Sequence, residues 1–232
     1  MVKIRFDRLV TDTSQRLYGL SALIDLIDEA HPKVWEQGKE ALNEWAKNED
    51  WDYGDYSVEA QFLEANFTYW LPKEEAYSII VLLSSIVETQ LLAYAGRTAE
   101  QKGCAFNRKD FKNKVLNQLA AYIKKVSGSD LTKNERWEVM KDLQRLRNII
   151  VHGAGKPDEV QKHQLKQICK RRPGISLNEN PFTMWHDPEI SLTIRYCRYF
   201  AREVEEFFKG LFKDADFPVE SGLWPNIQSG LP

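Results

Sequence analysis

Apolar residues recur three and four positions apart through most of this 232-residue chain, which is the spacing of one face of an α-helix. The strongest instance begins near Pro72 and extends to between Gly96 and Gln101, where apolar residues occupy most sides of the helix. A helix of this kind is stable when other helices surround it. The pattern therefore predicts an all-α fold in which this segment is the central helix.

The same periodicity predicts the other elements of the fold. Pro32 separates the first two predicted helices, and Thr132 with Glu135 has the spacing of a capping box before the helix that ends at Gly153. Two short β-prone segments, residues 175–177 and 190–192, favour a small hairpin before the last helix. The remaining helices are expected at residues 13–30, 34–47, 57–70, 108–126, 132–153, 157–170 and 193–213.

Length and composition favour one large core, because 43% of the 232 residues are hydrophobic. We expect residues 1–71 to form an N-terminal helical extension packed on the core. Residues 72–213 are predicted to form the core itself. Residues 214–232 are rich in proline and glycine and are predicted to be an irregular tail.

Charge, cysteine content and hydropathy bear on the binding partners and the location of the protein. The 32 basic and 34 acidic residues nearly cancel, so binding of nucleic acid requires a local basic patch. The three cysteines lie far apart and favour a reducing compartment. The N-terminus lacks a signal peptide's apolar stretch, and the longest apolar stretch, residues 78–87, is too short to span a bilayer. We therefore expect a cytoplasmic protein that does not contact the membrane.

One dense group of polar residues stands where a strongly apolar helix is predicted to end. It comprises Arg147, Asn148, His152 and Gly153. With this chain's composition, the full pattern of Arg-Asn, three residues and His-Gly is expected about 0.001 times or less by chance. The pattern is therefore informative, although each residue also has an ordinary structural interpretation: a histidine and a glycine suit the end of a helix, and an arginine suits its solvated face.

Helical geometry limits what this group can do within one chain. Asn148 and His152 are four residues apart, so they share a face and Asn148 can hold the imidazole by a hydrogen bond. Arg147 and His152 are about 140° apart around an ideal helix and converge poorly. A two-fold dimer brings two arginines and two histidines into one cleft. The spacing therefore predicts a homodimer.

The motif Arg147-Asn148-Ile149-Ile150-Val151-His152 resembles the signature of the HEPN superfamily, which is Arg, four to six residues and His, with Asn often following the Arg. The resemblance covers about residues 72–213, including an acidic residue, Glu88, on the long helix, and it implies an up-and-down helical bundle. Active HEPN proteins are typically dimeric, metal-independent endoribonucleases of toxin systems, phage defence and RNA processing. The resemblance therefore implies RNA as the substrate and an antitoxin or regulatory protein as a further partner.

The resemblance also implies roles for individual residues. His152 would transfer protons at the 2′-hydroxyl or the leaving oxygen, and Arg147 would stabilise the charge on the phosphorane. Asn148 would fix His152 and touch the scissile phosphate. Arg145 stands at the longest spacing that the signature permits and is a candidate for binding the RNA backbone. The chain departs from one subgroup, whose tyrosine two residues after the histidine is replaced here by Ala154, which disfavours a toxin regulated at that tyrosine.

A basic segment follows the motif. Lysines recur every four residues at Lys162, Lys166 and Lys170, so they form one stripe on a helix, and Lys156, Arg171 and Arg172 lie nearby. Such a stripe is expected to bind RNA phosphates, and it is equally typical of a solvated helix face.

Further expectations concern Glu88 and the three histidines outside the motif. Glu88 is expected to be a supporting polar group that pairs with the motif arginines. His31, His163 and His186 lack metal-ligand spacing, so neither a metal nor a cofactor is expected.

The alternative to an enzyme is a non-catalytic HEPN module that binds RNA or a partner protein. The acidic and aromatic residues 48–56 would then belong to an interaction surface, unless their aromatic rings fold back onto the core.

Overall fold

The computed structural model of the protein describes residues 7–111, 115–172, 174–179, 188–217, 224, 225 and 227. It is 80% helical and contains one two-stranded sheet immediately before the last helix. The predicted all-α class with a small hairpin is therefore confirmed. The helices are α1 (Arg8–Asn48), α2 (Tyr53–Ala65), α3 (Leu71–Gln101), α4 (Val115–Ser127), α5 (Trp137–Gly153), α6 (Glu159–Arg171) and α7 (Ile194–Asp214).

Shorter elements connect these helices. A π-helical turn, the π segment (Asn66–Trp70), joins α2 to α3, and 3-10 turns occupy Arg108–Asp110 and Leu131–Lys133. The strands are β1 (Ile175–Glu179) and β2 (Pro188–Leu192).

The first helix differs from the prediction, because α1 is one helix of 41 residues with Pro32 inside it. Proline removes one helical hydrogen bond, and packing offsets that loss here. The second half of α1 runs beside the π segment, where the Trp35 and Phe67 ring centroids are 5.4 Å apart. The first half belongs to the core, in which Leu17 and Ile24 are fully buried.

The central helix also differs at its start. Pro72 was expected in its first turn, but residues from Tyr53 to Gln101 form one helical run of 49 residues through the π segment. The boundary predicted between residues 71 and 72 lies within this run. By length and composition the run is apolar enough to cross a membrane. Half of its most apolar window is buried, as expected of a core helix, and α3 contacts α1, α4, α5 and α7.

Two predicted helix starts were wrong. The segment after Asn107 forms only a 3-10 turn, and α4 begins at Val115. The expected capping box at Thr132 and Glu135 is absent among the described contacts, because Asp130 caps a 3-10 turn there and accepts from the Thr132 N–H at 3.2 Å. The predicted start of α7 is confirmed, since Thr193 caps it by accepting from the Tyr196 N–H.

The hairpin connects the central helix to the end of α5. Its antiparallel register pairs Leu177 with Ile190 and Ile175 with Leu192. On the side of β2 away from β1, the Ile190 N–H donates to the Gly155 carbonyl at 3.0 Å. The Ile190 carbonyl accepts from the Tyr77 hydroxyl on α3 at 2.7 Å. These two bonds fix β2 against both helices.

The described residues after α7 cover the core without regular structure. Phe217, Trp224 and Ile227 are buried, and the Ile227 N–H donates to the buried Glu205 carboxylate at 3.0 Å. The other residues of the predicted tail lie outside the described residues.

Candidate active site

The motif lies on the last turns of α5, whose opposite face belongs to the core. Leu143, Leu146 and Ile149 on that face are at most 2% exposed. The helix ends at Gly153, as predicted, but the left-handed residue that follows is Ala154, with φ of 50°. Gly155 is also left-handed, with φ of 84°, and its N–H donates back to the Ile149 carbonyl at 3.3 Å. The chain therefore turns sharply away directly after His152.

The three predicted catalytic residues share this exposed end of α5. Arg147 and Asn148 are half-buried, and His152 is exposed. The Arg147 guanidinium donates to the Asn148 side-chain oxygen at 3.0 Å. Contrary to the prediction, the described contacts include no hydrogen bond between Asn148 and His152. The amide oxygen of Asn148 accepts from the Arg147 guanidinium instead. A bond from a charged donor is the stronger of the two.

Glu88 was expected to pair with the motif arginines, and the structure corrects this. Its carboxylate accepts a long hydrogen bond of 3.4 Å from the Gln144 side chain, one turn before Asn148 on α5. Within the described residues, neither Arg145 nor Arg147 forms an ion pair with it. Glu88 therefore joins α3 to α5 beside the motif and does not neutralise its arginines.

A buried carboxylate that the sequence analysis missed organises the neighbouring basic residues. Asp142 on α5 is fully buried, and its Oδ1 lies 3.0 Å from the Arg145 guanidinium and 2.8 Å from that of Arg171. Its Oδ2 lies 3.4 Å from Arg172 Nε. Arg172 also donates to the Tyr199 hydroxyl at 3.0 Å. We call these four charged residues, Asp142 with its three arginines, the aspartate cluster.

The aspartate cluster changes the interpretation of three predicted RNA-binding residues. Arg145, Arg171 and Arg172 each have an intramolecular partner, and the ion pairs join α6 and the segment after it to α5. Three guanidinium groups surround one carboxylate, so the cluster keeps a net positive charge. Binding of RNA phosphate there stays a prediction. The signal for Asp142 in the sequence is a lone carboxylate between the apolar residues Met140 and Leu143 on the buried face of a helix.

The predicted lysine stripe lies on α6, whose start is fixed by a capping box between Asp158 and Gln161. Lys166 and Lys170 are exposed on it, whereas Lys162 pairs with Glu159 at 2.6 Å. Lys156, in the turn before α6, lies 3.9 Å from the Glu189 carboxylate. The helix therefore presents the stripe to solvent, next to the end of α5.

Apolar surface also accompanies the motif. Val151, directly before His152, is 46% exposed, and Val160 on α6 is 70% exposed. Single exposed apolar residues are common on protein surfaces, so these two valines are available to a contact without marking one.

Among the described residues, no group of three or more His, Cys, Asp or Glu side chains is arranged to hold a metal ion. His31 hydrogen-bonds within the fold and His163 is exposed on α6, while His186 lies outside the described residues. No family model, no curated protein and no solved structure matches the chain.

Proposed function

We propose that this protein is a metal-independent endoribonuclease of the HEPN type that acts as a homodimer. The observation that carries the proposal is the placement of Arg147, Asn148 and His152 on the exposed end of α5, outside the core contacts of that helix. A guanidinium, an amide and an imidazole at one exposed helix end are the groups needed to bind a phosphate and to move protons beside it.

Each residue has a defined part in the proposed reaction. The His152 imidazole accepts the proton of the RNA 2′-hydroxyl or protonates the leaving 5′-oxygen. Arg147 binds the non-bridging oxygens and stabilises the charge on the phosphorane. Asn148 orients Arg147, a role supported by the 3.0 Å hydrogen bond between their side chains, and its amide nitrogen is available to the scissile phosphate.

The dimer follows from the geometry of α5. Arg147 and His152 point about 140° apart around the helix, so one chain does not direct both at the same phosphate. A two-fold axis beside the end of α5 places His152 of one copy opposite Arg147 of the other. The exposed Val151 and Val160 supply apolar surface for this contact.

Local charge supports binding of an RNA backbone near this cleft, although the whole protein has a net charge of −2. Lys166 and Lys170 are exposed on α6, and the aspartate cluster, which includes Arg171 at the end of the same helix, keeps a net positive charge. These groups suit a polyanion that passes the end of α5.

The test is incubation of the purified protein with a single-stranded RNA and with DNA of the same sequence. Wild type is expected to cleave only the RNA, because the attacking group is the 2′-hydroxyl, which DNA lacks. The products are expected to carry a 2′,3′-cyclic phosphate and a 5′-hydroxyl. Activity is expected to persist in EDTA, since imidazole moves the protons and guanidinium offsets the charge. His152→Ala is expected to lose at least 100-fold, a typical loss when an acid–base group is removed.

The matched control is His163→Ala, which removes an exposed histidine on α6 and is expected to leave cleavage unchanged. Equal cleavage by His152→Ala, loss of activity in EDTA or 5′-phosphate ends would each contradict this mechanism. An inert wild type that still binds RNA or a partner protein would establish the non-catalytic module instead.

The biological setting that we propose is a toxin or phage-defence system with an antitoxin or regulatory partner in the cytoplasm. In that setting, expression of wild type in a bacterium is expected to arrest growth, and expression of His152→Ala at the same level is not.

A further inference from the structure

A cavity of about 360 Å³ lies beside strand β2, and none of its described lining residues belongs to α5. The middle of α1, the π segment, the first turns of α3, Asn178 of β1, strand β2 and the start of α7 surround it. Its volume is at the lower end of the range for small-molecule sites in proteins. The apolar part of the lining comprises Ile27, Pro32, Pro72, Ile190, Leu192 and Ile194.

Two irregularities of the helical backbone border the cavity. Pro32 interrupts the hydrogen bonding of α1, and the π segment contributes Thr68 and Tyr69 to the wall. A π turn is rarer than an α turn and is frequently found at functional sites. Both irregularities therefore border the same cavity.

One wall is a fixed polar network. The Lys73 ammonium and the Glu189 carboxylate are 3.0 Å apart, with side chains only 11% and 7% exposed. The Tyr69 hydroxyl donates to the same carboxylate at 3.1 Å, and Lys73 lies over the Trp70 ring at 4.2 Å. Burial, followed by the charge of Glu189, raises the pKa of Tyr69 to about 12. The groups of this wall therefore hold one arrangement.

The charges on the lining disfavour an anion. Asp28, Glu75 and Glu189 contribute carboxylates, and Lys73 is the cation that the described lining contributes. Outside the lining, Arg198 pairs with Asp28 at 3.2 Å. The His31 Nε2 donates to the Phe67 carbonyl at 2.9 Å, and its Nδ1 lies 3.3 Å from Glu75. A neutral ligand meets these groups without the repulsion that a carboxylate or phosphate would meet.

Strand β2 adds a pair of backbone groups. Ile190 points its N–H and C=O away from β1, toward Gly155 and Tyr77. Leu192 is two residues further along the strand, so its N–H and C=O point to the same side. Leu192 lines the cavity, and these two groups have no hydrogen-bond partner among the described residues. A backbone donor and acceptor side by side match the edge of an amide.

We propose that this cavity is a binding site for a small, neutral, planar ring with a lactam edge. The Leu192 N–H donates to the carbonyl of the lactam, and the Leu192 C=O accepts from its N–H. The apolar residues cover the faces of the ring, and the three carboxylates select against anionic ligands of the same shape. The proposal concerns binding alone and does not depend on RNA cleavage.

The test uses three probes that differ in one property each. 2-Quinolone is neutral and has the lactam edge, N-methyl-2-quinolone lacks the donor, and 2-quinolone-4-carboxylate carries a negative charge. Binding is measured by NMR titration of protein labelled with ¹⁵N-leucine, in which the Leu192 amide reports on the site. We expect 2-quinolone to shift the Leu192 signal with saturation, and the other two to bind at least tenfold more weakly.

Two variants locate the binding. Ser191 is on the same face of β2 as Glu189, so Ser191→Phe is expected to fill the cavity and abolish binding of 2-quinolone. Thr68→Trp fills it from the opposite wall and gives a second, independent test. The control is Ser78→Phe, at an exposed position of α3 outside the lining. No shift with 2-quinolone, equal binding of all three probes, or binding that survives both filling variants would overturn the proposal.

Discussion

Tyr77 occupies the space that a side chain at position 155 would need. The position of a Cβ on Gly155 coincides with the hydroxyl end of the Tyr77 ring, and that hydroxyl is already bonded to the Ile190 carbonyl. The central helix, the hairpin and the chain after the motif therefore meet at one point. The absence of a side chain at Gly155 is what allows α5 to end where His152 is exposed.

We expect Gly155→Ala to lower the free energy of unfolding by about 3 kcal/mol, because the methyl group meets the Tyr77 ring and the left-handed backbone disfavours alanine. Gly153→Ala is the control, since Gly153 is helical and its Cβ position is open among the described atoms. That change is expected to be neutral or to stabilise by up to about 1 kcal/mol. Urea unfolding of both variants measures the difference, and equal values would contradict the contact.

Replacement of Asp142 by alanine is expected to destabilise the protein by about 3 to 5 kcal/mol, because it leaves the Arg172 guanidinium, only 14% exposed, without its charge partner. Glu138→Ala removes a 52% exposed carboxylate from the same helix and is expected to cost less than about 1 kcal/mol. Denaturant unfolding again gives the comparison. A small effect of Asp142→Ala would mean that the aspartate cluster does not join α6 to α5.

The proposed dimer predicts that Val151→Glu is a folded monomer without ribonuclease activity, because a charge replaces a 46% exposed apolar side chain beside His152. Val58→Glu changes a valine of similar exposure on α2 and is expected to leave the dimer intact. Light scattering at several concentrations reports the mass. A wild-type protein that is monomeric throughout would rule out a composite site.

The motif residues are expected to matter for activity more than for stability. His152→Ala and Arg147→Ala should each change the free energy of unfolding by about 1 kcal/mol or less. Leu146→Ala and Ile150→Ala should cost about 2 to 5 kcal/mol, since Leu146 is fully buried and Ile150 is 8% exposed. Thermal melts separate the two groups, and unfolding of His152→Ala would show that this histidine is structural.

Alkaline pH should destabilise the protein through Tyr69. Burial and Glu189 raise its pKa to about 12, from about 10 in the unfolded chain. The folded state therefore favours the protonated phenol. The resulting stability is complete below about pH 10 and is lost as the pH rises toward 12.

The measurement for Tyr69 is an NMR titration of protein carrying ¹³Cζ-tyrosine, with Tyr69→Phe to assign the signal. A midpoint near pH 10 would mean that water reaches the Tyr69 hydroxyl and that the wall of the cavity is open.

Periodicity predicted the helices well where apolar residues face the core, as in α7 and in the second half of α5. It failed where tertiary contacts override local signals. Pro32 reads as a stop signal, but α1 continues past it because Trp35 packs on Phe67. Residues 48–56, which lie between two predicted helices, belong mostly to helices in the structure, and their aromatics are not part of the core. Tyr53 there is 87% exposed.

The candidate site could be predicted only as a set of residues. The positions of Arg147, Asn148 and His152 on one helix end follow from their spacing, whereas the hydrogen bond from Arg147 to Asn148 depends on rotamers. The role of Asp142 depends on Arg171 and Arg172, which lie 29 and more residues away in the sequence. The cavity was not predicted because four separate segments form it.

The π segment also sets the rotational phase between two parts of the molecule. A π turn contains about one residue more than an α turn, so deletion of one residue from Asn66–Trp70 would restore a regular helix. The whole of α2 would then rotate by about 100° relative to α3. The face of α2 that packs on α1 would then turn to solvent. The one extra residue of the π segment thus sets which face of α2 packs on α1.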